Sequence, residues 1–374
     1  MNLAPALGVF GATAEFLGSI VVFLVLLSLM VLVHEVGHFA VAKWSGVKVE
    51  EFGFGFPPRV WATRRGETEY SVNAIPLGGF VRMVGEDDPS QPRSFARARK
   101  RWRFAILLAG STMNALLAIL LFTGAFAAGW PTVTQTEVQV VAVVAGLPAE
   151  AAGVRQGDVI LALDRQPVRD VRELRRLAEA SAGREVSLEV RRDAASVALS
   201  ITPRASWPEG EGPLGVAIGD RPMRVEPVAY PVPEAFVRGV RQTAEVVAFT
   251  FYLPVLAFKG LLPWSAIRPV GPVGIYSIAS QAAIETVQSG WWFPILSVAA
   301  GLSAGLGLAN LLPIPGLDGG RLVFVLLEAV RGRRVDPQRE GMIHLVGLAV
   351  LFSLIVVITF VDISAPVSID WSLP

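Results

Sequence analysis

The run from Gly18 to Val33, GSIVVFLVLLSLMVLV, passes without a break into His34-Glu35-Val36-Gly37-His38. The apolar part has the length and composition of a membrane span. The ionisable part does not belong in lipid, where a charged side chain costs on the order of 3 kcal/mol at the bilayer centre even on lenient scales, so such a cluster marks function. Its spacing has a mechanism. On an α-helix residues i and i+4 share a face, so both imidazoles reach one Zn²⁺ while the adjacent Glu35 addresses a metal-bound water. The competing reading is that the histidines hydrogen-bond neighbouring helices as polar glue.

The rest of the chain sets the context. Of 374 residues, 52% are hydrophobic and 17% charged, and the mean hydropathy is +0.52. These values define a polytopic α-helical membrane protein with a soluble part. The formal net charge of +1 offers no field for nucleic acid. With no cysteine, disulfides and thiolate ligands are excluded. The first fifteen residues lack Lys and Arg, so the first apolar segment is expected to be retained and not cleaved as a signal peptide.

Four segments are long and apolar enough to span: Phe16–Ala42, Phe104–Ala128, Phe293–Leu312 and Ile343–Val361. Positive charge concentrates between the first two, from Lys43 to Arg103, and between the last two, from Arg321 to Arg339. Both tails outside the spans lack Lys and Arg. The positive-inside rule then places both termini outside and those two loops in the cytoplasm. A fifth apolar stretch, Thr243–Leu262, is interrupted by Glu245, Pro254 and Lys259 and is read as an interfacial or re-entrant helix on the outer side.

A catalytic zinc needs three protein ligands and an open position. His344 is the only other histidine and is read as interfacial or packed at the start of the last span, so the third ligand is expected to be a carboxylate. Asn310-Leu-Leu-Pro313-Ile-Pro315-Gly-Leu-Asp318-Gly-Gly320 supplies one, because Pro313 and Pro315 break a helix where irregular backbone survives only if it lines a cavity or packs in protein. His34 lies some 17 residues along its helix, about 25 Å from the outer end. With four spans Asp318 arrives in the same leaflet; with five it would emerge opposite. The bland alternative for Asp318 is a cap of the following helix.

Together these residues resemble the site-2 protease family of intramembrane zinc metalloproteases, in particular its RseP-like branch. The likeness runs from Leu17 to Val361 and rests on HEVGH, on NLLPIPGLDGG and on a PDZ-like insertion between the second and third spans. Phe52-Gly-Phe-Gly55 and Ile75-Pro-Leu-Gly-Gly-Phe80 look like the family's membrane-associated β-region. Ala109-Gly-Ser-Thr-Met-Asn114 resembles its AGPxxN motif, with Ser111 in place of proline, and Gly271-Pro-Val-Gly-Ile275 matches a segment before the third span. Arg321 stands where relatives often have histidine. Leu147–Ile160 resembles a bacterial PDZ signature, and Leu214, Gly215 and Val216 fall in a candidate carboxylate-binding loop.

The resemblance implies one Zn²⁺ per chain on His34, His38 and Asp318, with Glu35 as acid and base. It places Asn310, Asn114, Pro313 and Pro315 among the substrate contacts. The expected organisation is a first span (1–43), a cytoplasmic β-region and basic loop (44–103), a second span (104–129) and one PDZ-like domain (132–222). An extracytoplasmic interfacial region (223–292), a third span with the Asp318 motif (293–320), a cytoplasmic helix and loop (321–342) and a fourth span with the outer tail (343–374) follow. The implied setting is a bacterial inner membrane and its lipid, with the active site near the cytoplasmic face. The implied substrate is a single-span protein, such as an anti-sigma factor, already trimmed by a site-1 protease. Clearance of remnant signal peptides is the alternative within the family. A catalytically silent PDZ scaffold and a metal transporter are the alternatives outside it.

Overall fold

The computed structural model describes residues 4–86, 88–208, 211–263, 267, 269–369 and 371, with backbone only for 4–16. The chain forms two compact units, residues 1–129 with 229–371 and residues 130–228.

Helices dominate the first unit. They are α1 (Ala4–Ser45), α2 (Lys100–Gly129), α5 (Val232–Phe258), α6 (Pro272–Ser289), α7 (Phe293–Leu311), α8 (Asp318–Arg331) and α9 (Pro337–Ser364). Among the described residues four helical segments are long and apolar enough to cross a membrane: Leu17–Ser45, Lys100–Gly129, Phe293–Leu311 and Pro337–Ser364. In α1 the residues Leu17, Val21, Val25 and Leu29 recur every fourth position and are all exposed, while Ser19, Ser28, Met30, His34 and His38 are buried. That is the inverse of a soluble amphipathic helix and suits a lipid-facing stripe with a polar inner face. The helix α2 runs unbroken through Ser111, so the missing proline costs it no kink.

Helices α1 and α2 cross closely because glycine lets them. A Cβ at Gly37 would lie 2.4 Å from the Ala109 carbonyl oxygen. Where α7 meets α2, a Cβ at Gly307 would come within 3.0 Å of the Ser111 carbonyl oxygen. Of the stretch expected as interfacial, Thr243–Leu262, the part up to Phe258 belongs to a longer helix, α5, that starts at Val232 and carries Pro254 inside it. Its first half is polar but held by i,i+4 pairs, Glu234–Arg238 at 2.8 Å and Arg241–Glu245 at 2.7 Å.

A two-stranded antiparallel hairpin, β1 (Val49–Arg65) and β2 (Thr68–Met83), lies along α1. Ser28 Oγ donates to the Pro76 carbonyl, and a Cβ at Gly78 would meet Val31 at 2.9 Å. Beside the hairpin turn Glu67 accepts from Lys43 Nζ at 2.7 Å and Arg93 Nη1 at 2.5 Å. Those two cations hold its carboxyl down to about 2.

The second unit is a six-stranded sheet of order β7-β6-β4-β3-β8 with β5 paired to β4. Its strands are β3 (Trp130–Val143), β4 (Val159–Leu163), β5 (Gln166–Pro167), β6 (Val186–Arg192), β7 (Ala195–Ile201) and β8 (Val216–Val228). Two helices, α3 (Pro148–Ala151) and α4 (Val171–Ala180), complete it. Leu174 and Leu177 of α4 pack into the core with Val138, Ile160, Leu188 and Val190. Asp170 caps α4 by accepting from the Glu173 N–H at 2.7 Å. Asp158 is 1% exposed and meets Arg192 Nη2 at 2.8 Å, which holds its carboxyl below the usual range. The sheet outruns the expected 132–222, because β3 and β8 continue as a ribbon whose last pair is Trp130 with Val228.

Candidate metal centre

The α-helical repeat stacks His34 over His38, and a sharp loop after α7 brings Asp318 to them. His34 Nε2 and His38 Nε2 lie 3.0 Å apart, and Asp318 Oδ2 lies 3.0 Å and 3.1 Å from them. Both histidines are buried, at 5% and 7% exposure. The helix α8 begins at Asp318, with Leu317 as its N-cap, so the aspartate is not the cap that the bland reading required.

Local backbone chemistry explains how the carboxylate arrives. After Leu311 the chain turns back on itself so tightly that a Cβ at Gly319 would lie 2.1 Å from the Leu312 carbonyl oxygen. At Gly320 the corresponding distance to the Ile314 carbonyl oxygen is 2.4 Å. Only glycine follows Asp318 without displacing the loop that presents it. From the far side, His344 Nδ1 accepts the Gly316 N–H at 2.9 Å. A Cβ at Gly347 would meet Pro315 at 2.4 Å. His344 thus pins the loop that carries the third donor. The sequence reads it as an interfacial or packed histidine, since nothing in the chain links position 344 to position 316.

The donor set fits a zinc ion. His38 Nδ1 donates to the Ile106 carbonyl oxygen at 2.7 Å, so its proton sits on Nδ1 and Nε2 keeps a bare lone pair. Two ring nitrogens and a carboxylate oxygen face one point, an arrangement that a shared cation holds together. Zinc bonds of about 2.0–2.1 Å put tetrahedral ligands about 3.3 Å apart, close to the edges seen. Gly110 of α2 lines the space for the rings, since a Cβ there would fall 2.5 Å from His38 Nε2 and 2.6 Å from His34 Nε2.

Glu35 is half-buried on the neighbouring face of α1, next to β2, where a Cβ at Gly79 would be 3.7 Å from its Cγ. Among the other expected site residues, Asn310 is half-buried in the last turn of α7, Pro313 is exposed and Pro315 is half-buried. Asn114, expected to contact substrate, is instead fully buried, with Nδ2 3.4 Å from His34 Nδ1. On α2 it is enclosed between α1 and α7, with no exposed surface. Leu214, Gly215 and Val216 belong to the sheet unit and not to the metal centre. There they line a cavity of about 390 Å³ with Leu147, Leu174 and Arg175.

Around the centre, charges fasten the helices to one another. Arg103 Nη1 of α2 meets Glu328 Oε2 of α8 at 2.5 Å, with both side chains nearly buried. Arg321, at the position where histidine was noted in relatives, pairs with Glu86 at 2.7 Å.

A buried pair of histidines one turn apart, joined by a distant aspartate and flanked by a glutamate, is a group that could hold a metal ion, on a helix long and apolar enough to cross a membrane. The chain belongs to peptidase family M50, whose model it matches over residues 22–354. It is similar to a candidate zinc metalloprotease of Rhizobium meliloti, 32% identical over 91% of this chain and 95% of that one. A candidate zinc metalloprotease of Clostridium perfringens is 31% identical over 91% of this chain and 97% of its own length. The zinc metalloprotease RasP of Geobacillus kaustophilus is 29% identical over 93% and 98%. Among solved structures, the PDZ domain of an SdrC-like protein from Listeria monocytogenes aligns with 23% of this chain and 92% of its own, at 20% identity and a TM-score of 0.21. The protein is thus a membrane metalloprotease of the site-2 protease type, with zinc as its cofactor.

Proposed function

We propose that the protein cleaves a transmembrane segment of a single-span substrate, with His34, His38 and Asp318 holding the zinc and Glu35 moving the proton. The observation that carries this reading is the closure of His34, His38 and Asp318 into one donor triangle with edges of 3.0–3.1 Å, beside Glu35 on a membrane helix. When bound, zinc supplies a Lewis acid that polarises a carbonyl and lowers the pKa of water. Glu35 takes a proton from the attacking water at its carboxylate and passes it to the amide nitrogen that leaves. Both histidines arrive with their rings held by packing, so little reorganisation is needed at the moment of reaction.

A helical substrate shields its own scissile carbonyl, so the bond must be unwound first. The hairpin β1–β2 supports a place for it, because β2 lies along α1 at Gly78 and Gly79, next to Glu35. An unwound segment adds to a strand edge through main-chain hydrogen bonds. Asn310 and the Pro313–Pro315 loop, which lead directly into Asp318, complete the proposed substrate cleft.

The substrate is a single-span protein, of the anti-sigma-factor kind, already trimmed by a site-1 protease. The positive charge between Lys43 and Arg103 supports a cytoplasmic location for the β1–β2 side and an extracytoplasmic one for the sheet unit and both termini, in a bacterial inner membrane. In the sheet unit, the cavity under Leu214, Gly215 and Val216 lies between α4 and the edge strand β8, which suits capture of a new C-terminus by strand addition. The test is proteolysis by the purified protein in liposomes, with a single-span substrate offered both trimmed and untrimmed. Preferential cleavage of the trimmed form is expected; equal cleavage of both forms would remove the trimming requirement.

A further inference from the structure

Asn114 is 0% exposed, and its surroundings explain why it cannot serve a substrate directly. Its carbonyl oxygen accepts from Ser303 Oγ at 2.8 Å, and Gly307 packs against its Cβ, so α7 seals it from one side. On the other side stands His34, whose Nδ1 is 3.4 Å from Asn114 Nδ2. Asn114 Oδ1 is buried without a hydrogen-bond partner. Buried polar groups are almost always hydrogen-bonded, so an unpaired amide oxygen calls for an explanation.

The chemistry of His34 supplies one. To give a metal a lone pair at Nε2, the neutral ring must carry its proton at Nδ1, and that N–H then needs an acceptor. An amide nitrogen cannot accept, whereas the amide oxygen can. The two ends of the amide have nearly the same shape, so a half-turn about χ2 exchanges them without moving any neighbour. That rotation gives the Nδ1 proton its acceptor and pairs the amide oxygen, while the amide NH2 takes the position the oxygen held.

We propose that Asn114 is a positioning residue for the metal centre, its amide oxygen accepting the Nδ1 proton of His34 when metal is bound. It does for His34 what the Ile106 carbonyl does for His38, and both come from the same helix, α2. The inference rests on His34 being a ligand. It also gives the Asn114 end of the Ala109–Asn114 motif a physical reason: Gly110 clears room for the rings, and Asn114, one helical turn further on, orients one of them.

The test measures zinc affinity of the full-length protein in detergent by competition with a chelating indicator, alongside the thermal midpoint of each metal-free variant. Asn114→Leu is expected to weaken zinc binding ~10–100-fold, the range found when a partner of a ligating histidine is removed. Asn114→Asp, which can only accept, is expected to bind within ~3-fold of wild type because it preserves that partner. Unchanged affinity in Asn114→Leu overturns the proposal, as does an Asn114→Asp variant as weak as the leucine one, which would mean that His34 needs the amide N–H. Should the leucine variant not fold, the aspartate variant decides alone. His34→Ala is the control for the underlying reading, since zinc affinity untouched by that change removes the ligand assignment itself and not the role of Asn114.

Discussion

Asp318 carries the heaviest demand of any single residue. Its carboxylate closes the donor triangle from a loop 280 residues beyond His38. Asp318→Asn keeps shape and hydrogen bonding but removes the charge that a cation needs, so zinc content should fall well below one per chain, as read by elemental analysis of the purified protein. Unchanged occupancy would end its role as a ligand. His34, Glu35 and His38 were legible in sequence because helical periodicity alone places i and i+4 on one face. Asp318 was legible because two prolines and two glycines mark a break that membrane-embedded backbone must justify. The roles of Asn114 and His344 were not, since a hydrogen bond between residues 80 positions apart leaves no trace in spacing.

Elements are held by polar contacts whose partners lie on different helices. The Arg103–Glu328 pair ties α2 to α8, the helix that starts with Asp318. Arg103→Met leaves the nearly buried Glu328 carboxylate with Arg334 alone, 3.3 Å away, and should cost about 1–3 kcal/mol, seen as a lowered thermal midpoint; an unchanged midpoint would show the pair to be idle. In the sheet unit, Arg192 holds the Asp158 carboxyl below its usual range. The stabilisation is therefore full above the ordinary carboxylate pKa of about 4 and fades as pH falls through the lower folded-state value. Wild type should consequently melt above Asp158→Asn at pH 7, and the gap should narrow as the buffer is acidified below pH 4. A gap independent of pH would exclude the linkage. The boundaries of these elements were harder to read than their existence. The start of α5 at Val232 was hidden because Glu234, Arg238, Arg241 and Glu245 look like a solvated loop until their i,i+4 pairing is seen. The outer ends of β3 and β8, Trp130–Pro131 and Met223–Val228, fall outside the expected 132–222 because they lie beyond the packed core that marks the domain.

At the scale of the whole molecule, the sheet unit is an insertion with neighbouring ends. Trp130 pairs with Val228 across β3 and β8, and in the helical unit the Tyr230 N–H donates to the Phe126 carbonyl oxygen at 3.1 Å. A short linker replacing residues 130–228 should therefore leave α2 and α5 joined much as they are. If the inserted unit is what rejects untrimmed substrates, the excised protein should cleave full-length and trimmed forms alike. Selectivity that survives excision would assign the filter elsewhere.

Where the cut falls and which residue moves the proton together define the enzyme. The decisive measurement is mass-spectrometric mapping of the products formed from a tagged single-span substrate in liposomes, by wild type and by Glu35→Gln. A scissile bond within the apolar span, abolished in Glu35→Gln while that variant still holds one zinc, is the predicted result. Cleavage confined to the aqueous flanks, or cleavage that persists in zinc-loaded Glu35→Gln, would contradict it.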